Sequence, residues 1–277
     1  MSEGAAKKLR IASYNIHKCR GVDRRVRPER IGDVLGELDA DIVALQEVVG
    51  QRDGREEDHA RQVAEGRGYH SVFGRNRDHN GADYGNLLLS RFPVLNSWNY
   101  NITARGREPR GVLRVDVKLG GGRLLHLFNV HLGTAYHERS EQARSLVSGR
   151  ILRNRELTGA RIVLGDFNEW FPGLATRLLS AHFGNSGRRV RAGCCRTYPG
   201  VLPLFRLDQI YFDQGLTLKR LDRYRSRKSM VASDHLPIVA EFDLESWREL
   251  PRGAGHLLHR PSLNSHPKAE TDSRSSL

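Results

Sequence analysis

Six polar points in this chain each end or open an apolar run. Asn15 follows Ile11-Ala12-Ser13-Tyr14, and Glu47 follows Ile42-Val43-Ala44-Leu45-Gln46. His131 follows Leu127-Phe128-Asn129-Val130, and Asp166 and Asn168 follow Ile162-Val163-Leu164-Gly165. Asp208 lies within Arg206-Leu207-Asp208-Gln209-Ile210-Tyr211, and Ser233-Asp234-His235 precedes Leu236-Pro237-Ile238. A charge at the end of an apolar strand costs desolvation energy unless something compensates. A helix cap or a loop salt bridge accounts for any one of these residues alone. Their recurrence as Asn, Asp, Glu and His, with no Ser or Cys nucleophile motif among them, indicates a shared site.

The chemistry these types suit is hydrolysis of a phosphate ester. Glu47, Asp166 and Asp234 offer hard oxygen ligands of the kind that Mg²⁺ or Mn²⁺ prefers. Such an ion polarises a phosphate oxygen and offsets the leaving group's charge. His235 is the natural general base for an attacking water, and Asp208 the carboxylate that fixes its tautomer. Asn15, Asn168 and His131 are donors to phosphoryl oxygens, where charge builds in the transition state.

The ordered set Tyr14-Asn15-Ile16-His17, Leu45-Gln46-Glu47-Val48, Asn129-Val130-His131-Leu132, Gly165-Asp166-Phe167-Asn168, Leu207-Asp208-Gln209-Ile210-Tyr211 and Ser233-Asp234-His235 resembles the endonuclease/exonuclease/phosphatase superfamily, the DNase I-like fold. The resemblance runs from about Leu9 to Leu244 and is nearest to a compact bacterial subgroup of metal-dependent hydrolases. It implies an α/β fold, a four-layer α-β-β-α sandwich of two mixed sheets, with the site at one edge. It implies a metal set of Glu47, Asn15, Asp234 and Asp166, with Glu47 the principal ligand. It implies a catalytic set of His235, Asp208, His131, Asn168 and Asp166. His131 stands where one branch of the superfamily has Tyr, and no Glu partner for it is evident; Asp83 is a weak candidate. Asn86 and Arg110 are candidate substrate contacts, each equally readable as a loop amide or a surface ion-pair residue.

These residues need elements to hold them. Hydrophobic periodicity places strands at 9–16, 41–46, 85–90, 94–100, 161–164, 207–212, 216–221 and 236–242. Residues 111–119 and 123–131 form a hairpin across Gly120-Gly121-Gly122. Helices are expected at 28–38, opened by Pro28, and at 55–66, 138–153 and 174–179. Hairpins mixed with crossover helices exclude both a purely parallel sheet and a pure β protein.

The chain of 277 residues has a net charge of +13, carried by 38 Arg and 7 Lys. That balance favours anionic partners, a nucleic acid or an anionic phospholipid headgroup, although a GC-rich genome explains the arginines equally well. The run Arg220, Arg223, Arg225, Arg227, Lys228 reads either as a substrate-facing rim or as a solvated loop. Cys19, Cys194 and Cys195 form neither a disulfide framework nor a zinc spacing. The cysteines fit a reducing cytoplasm; Met1–Arg10 has no apolar h-region and no run is long enough to span a membrane, so neither a signal peptide nor a transmembrane segment is expected, no apolar hairpin is evident, and a monomer is expected. The domain is expected to span 9–250, between a flexible 1–8 and a disordered tail at 251–277. The expected activity is that of a phosphodiesterase or nuclease. A phospholipid or phosphoinositide-type phosphodiesterase or phosphatase is the alternative, and a non-catalytic phosphate binder a remoter one.

Overall fold

The computed structural model describes residues 8–52, 58–183 and 195–248. Eleven strands form two sheets. The strands are β1 (Lys8–Asn15), β2 (Ile42–Arg52), β3 (His70–His79), β4 (Ala82–Ser90), β5 (Val94–Asn101), β6 (Gly111–Lys118), β7 (Leu124–His131), β8 (Ala160–Asp166), β9 (Asp208–Phe212), β10 (Thr217–Arg223) and β11 (Ile238–Asp243). The helices are α1 (Pro28–Leu38), α2 (His59–Ala64), α3 (Tyr136–Leu146), α4 (Leu174–His182) and α5 (Arg227–Ala232). One sheet has the order β10-β11-β1-β2-β4-β3 and the other β5-β6-β7-β8-β9. Both are mixed: β1 and β2 run parallel, as do β7 and β8, and the remaining pairs are antiparallel. This is the expected four-layer sandwich.

Its layers follow from residues alternating along each strand. Ile11, Ile42, Ala44 and Leu88 of the first sheet meet Val115, Leu127, Ile162 and Leu164 of the second in the central core. The first sheet's outer face, with Val43, Leu45 and Leu89, is covered by Ile31, Val34, Leu35 and Leu38 of α1. The second sheet's outer face, with Phe128 and Val163, is covered by Ala143 and Leu146 of α3 and Leu179 of α4. Each such aliphatic side chain contributes about 1.5–3 kcal/mol on full burial.

Between the sheets lies a buried cluster of three amides. Asn129 on β7 donates to the Leu45 and Leu87 carbonyls at 2.9 and 3.0 Å. Gln46 on β2 donates back to Asn129 Oδ1 at 2.8 Å. Asn86 on β4 donates to the Gly111 and Asn129 carbonyls, both at 3.3 Å. All three amides are fully buried.

Several expectations need correction. The helix expected over 138–153 ends at Leu146, because Ser148 and Gly149 interrupt the helical run. The edge strand β3 was not expected: its sequence, HSVFGRNRDH, is mostly polar and half-exposed and carries no apolar periodicity. Helix α5 was read as loop or rim; a capping box between Ser226 and Ser229 nucleates it. Lys8 already belongs to β1. The tail at 251–277, Cys194, residues 1–7 and residues 55–57 of the second expected helix lie outside the described residues. Among the described residues, no helix is long and apolar enough to cross a membrane.

Candidate active site

The strand directions decide where the polar residues go. β1, β2, β7 and β8 all point their C-terminal ends to one edge, and β9 and β11 begin there. Asn15, Glu47 and His235 therefore come from one sheet, and His131, Asp166 and Asp208 from the other. In the register, His131 pairs with Asp166 and Asp166 with Asp208.

Asp166 Oδ2 is the hub. Asn15 Nδ2 donates to it at 2.9 Å, while His131 Nε2 stands 3.7 Å and His235 Nε2 3.8 Å away. Asp166 Oδ1 accepts the Asn168 main-chain N–H at 2.8 Å. Asn15 Nδ2 also reaches Glu47 Oε1 at 3.3 Å, and His131 Nε2 lies 3.9 Å from the same oxygen. His235 Nδ1 pairs with Asp208 Oδ2 at 2.9 Å, so the dyad joins the two sheets.

The backbone is bent to build this arrangement. Glu47 has φ 56°, where the β2–β4 register shifts between Leu45 and Val48. His17, Lys18 and Asn168 are left-handed too, at φ 44°, 58° and 51°. Each such non-glycine residue costs on the order of 1–3 kcal/mol, and such strain clusters at functional sites. Gly165 has φ 145°, and a Cβ there would lie 1.9 Å from the Val130 carbonyl oxygen. Only glycine brings Asp166 this close to β7.

Electrostatics separate the two histidines. Burial, together with the Arg110 guanidinium, pushes His131 down to about 4. Burial also disfavours a charged His235, but the Asp208 and Asp166 carboxylates outweigh it and push that imidazole up to about 10. Burial and the neighbouring Asp208 hold Asp166 above the ordinary carboxylate range. Burial works against ionisation of Glu47, yet His131 and Lys18 hold it well below that range. Burial and Arg110 disfavour a charged His131, which leaves the Lys18 ammonium, 2.6 Å from Glu47 Oε2, as the closer and stronger positive charge there.

Not every expected residue arrives at the hub. Arg110 stands behind His131: its Nη1 lies 3.3 Å from His131 Nδ1, and Nη2 donates to Glu108 at 2.8 Å. Asp83, the weak candidate partner of His131, pairs with Arg75 instead. Asn86 is fully buried, and its amide is spent on two main-chain carbonyls between the sheets, so it does not face a substrate. Asp234 is half-buried and faces His17 Nδ1 at 3.4 Å, which brings His17 to the mouth as well. Asn168 donates its side-chain amide to the Leu132 carbonyl at 2.8 Å. In the basic run, Arg220 pairs with Asp222 and Lys228 with Asp33 and Glu37, so much of it is ion-paired rim. Sequence reasoning missed Lys18, whose only signal was its closeness to Asn15. It also missed Tyr198, whose ring lies 5.0 Å from that of His235.

The residues present fit a small divalent cation. Glu47 and Asp166 offer carboxylate oxygens and Lys18 already places positive charge on Glu47; Asn15 Nδ2 donates to both carboxylates while its Oδ1 accepts the His17 N–H, so Asn15 joins a cation only with its amide reversed. Among the described residues no three His, Cys, Asp or Glu side chains are grouped so as to hold a metal ion. Mg²⁺ needs no such group, since it keeps several waters and takes one or two carboxylates.

Residues 12–235 match the Endonuclease/Exonuclease/phosphatase family. The uncharacterized protein YbhP of Escherichia coli (strain K12) is 30% identical over 249 residues, 85% of this chain and 96% of that protein. The inositol phosphosphingolipids phospholipase C of Schizosaccharomyces pombe is 27% identical over 187 residues, 61% of this chain and 43% of that protein. A crystal structure of an endonuclease/exonuclease/phosphatase from Beutenbergia cavernae superimposes with a TM-score of 0.71 at 22% identity, covering 86% of this chain and 72% of that one.

Proposed function

The chain belongs to the Endonuclease/Exonuclease/phosphatase family, a family of phosphoester hydrolases, and from that premise we propose a divalent-metal-dependent phosphodiester hydrolase. The observation that carries the reading is the meeting of Asn15, His131 and His235 around one Asp166 oxygen, with Asp208 behind His235 and Glu47 beside Asn15 and His131.

Glu47, Asn15 and Asp166 would hold Mg²⁺ or Mn²⁺. Such an ion would polarise a phosphoryl oxygen, compensate charge on the leaving oxygen and relieve the pull of Asp166 on His235. Asp208 keeps the His235 proton on Nδ1, which turns Nε2 toward the reacting water. Water attacks phosphorus in line, its proton passes to Nε2, and the bond to the leaving oxygen breaks. No covalent enzyme intermediate forms. Neutral His131, backed by Arg110, donates to a phosphoryl oxygen, and Arg110 adds a fixed positive charge behind it. Asp234 stands at the mouth with His17 as a further ligand or hydrogen-bond acceptor.

The charge of +13 supports a nuclease. A second reading, hydrolysis of phospholipid headgroup esters, is favoured by exposed apolar side chains beside the dyad and by the name of the fission-yeast relative. Purified protein with Mg²⁺ or Mn²⁺ is incubated with supercoiled plasmid and, in parallel, with mixed phospholipid vesicles. Turnover that is lost on chelation and in Glu47→Ala is expected on one of them, and that substrate names the branch. Turnover indifferent to both perturbations overturns the metal-dependent reading.

A further inference from the structure

Most large apolar side chains are inside, but a group of them stands in solvent beside the dyad. Phe171 is 79% exposed, Leu202 67%, Val201 54%, Leu204 51% and Trp170 42%. They come from two segments held together. The loop between Tyr198 and Phe205 is closed at its base by an antiparallel bridge, with Phe205 N–H donating to the Tyr198 carbonyl at 2.8 Å. The Trp170 ring lies edge-on against Phe205 and Tyr198, with centroids 4.6 and 5.6 Å apart. Tyr198 in turn touches the His235 ring. The loop is pinned to the catalytic segment, since Gly200 N–H donates to the Asp234 carbonyl and Leu236 N–H to the Thr197 carbonyl. A rigid apolar ridge thus starts at the dyad and projects outward. Nothing in Val201-Leu202-Pro203-Leu204 as a sequence distinguishes an exposed apolar run from a buried one.

Charge around the ridge says what covers it. Arg225 donates to the Val201 carbonyl at 3.3 Å and Arg223 to the Arg196 carbonyl at 3.0 Å. Main-chain carbonyls are neutral acceptors and leave the guanidinium charge in place. Arg196 and Arg225 are exposed beside the loop. Aliphatic tips and an aromatic pair flanked by arginines match the layered chemistry of an anionic bilayer, where apolar groups enter the acyl boundary and guanidiniums meet phosphates. A nucleic acid takes aromatic side chains for stacking and arginines for phosphates; three adjacent exposed aliphatic tips, Val201, Leu202 and Leu204, favour an acyl layer over it.

We propose that the 198–205 loop and the Trp170–Phe171 corner form an interfacial lip that seats the protein on anionic phospholipid bilayers, with the dyad facing the headgroups. This docking is separate from the proposed hydrolysis and is measured without it. The full chain, in chelator so that no turnover occurs, is sedimented with vesicles of phosphatidylcholine alone and of phosphatidylcholine mixed with phosphatidylglycerol. The wild type is expected to bind the mixed vesicles in preference, with a blue shift of Trp fluorescence. Phe171→Ser/Leu202→Ser is expected to weaken that binding roughly tenfold or more, because two inserted side chains are lost. Arg225→Gln is expected to reduce the preference for phosphatidylglycerol. Val201→Ser/Leu204→Ser serves if the first pair melts early. Absence of wild-type binding overturns the proposal. So does equal binding by both double variants, which leaves only diffuse charge attraction. Loss of oligonucleotide binding in those variants, with vesicle binding retained, makes the lip a nucleic-acid face and overturns it as well.

Discussion

Replacing Asp208 by Asn tests the electrostatic core of the site directly. His235 is 5% exposed, its Nδ1 is 2.9 Å from Asp208, and its pKa is pushed from 6.5 up to about 10 against the opposing effect of burial. A group raised in the folded state contributes stability that is fully present below its unfolded value and is lost as pH climbs through the folded one. In chelated protein that window runs from 6.5 to about 10. A span of about 3.5 in pH, at about 1.4 kcal/mol per pH unit, makes the imidazolium worth roughly 5 kcal/mol at the acidic end. Asp208 is first among the groups that raise His235, so Asp208→Asn leaves Asp166 to oppose burial nearly alone. The variant should be less stable at pH 6.5 by on the order of 3–5 kcal/mol, the usual cost of breaking a buried pair. It should then lose less than half as much as the wild type between pH 6.5 and 10. Urea unfolding at stepped pH in EDTA measures both slopes, and NMR titration of the His235 ring measures its midpoint. Equal slopes in the two proteins, or a wild-type ring titrating near 6.5, refute the reasoning.

Three further outcomes are expected. Lys18→Met removes the ammonium that competes for Glu47 at 2.6 Å, so Mn²⁺ should bind several-fold more tightly by calorimetry; weaker binding would make Lys18 a helper rather than a competitor. Gly165→Ala places a methyl against the Val130 carbonyl at φ 145° and must shift Asp166, so kcat should fall on the order of 100-fold while far-UV circular dichroism stays native. Asp116 receives Arg114 at 2.8 and 2.6 Å and meets His126 at 2.6 Å, all buried. Asp116→Asn should cost about 3–5 kcal/mol and lower Tm by about 2–4 °C for each of them, with kcat unchanged in the folded fraction.

Much of this was legible because strand ends leave a strong local mark. An apolar run closing on Asn15, Glu47, His131 or Asp166 shows both the buried element and the point where it meets solvent. What stayed illegible depends on closure between distant segments. Lys18 reaches Glu47 only because the chain turns left-handed after Asn15. The lip exists only because Trp170 folds against Phe205. Asn86 was misplaced for the same reason: its sequence context shows a strand but not the second sheet behind it. β3 was missed because an edge strand with half-exposed polar faces has little periodicity to display.

The three amides between the sheets have a consequence for how the site is aligned. Aliphatic faces are interchangeable along a strand, so an all-apolar sandwich tolerates sliding of one sheet over the other in steps of about 6–7 Å, two residues at a time. The dyad spans the sheets, as do the Asn15–Asp166 and His131–Glu47 contacts, and one such step would pull all three apart. Asn129 and Asn86 meet main-chain carbonyls of the facing sheet, and Gln46 meets the Asn129 side chain, at only one setting. They act as an indexing pin: the apolar core supplies adhesion between the halves, and a few buried amides choose the single alignment at which those halves make one site.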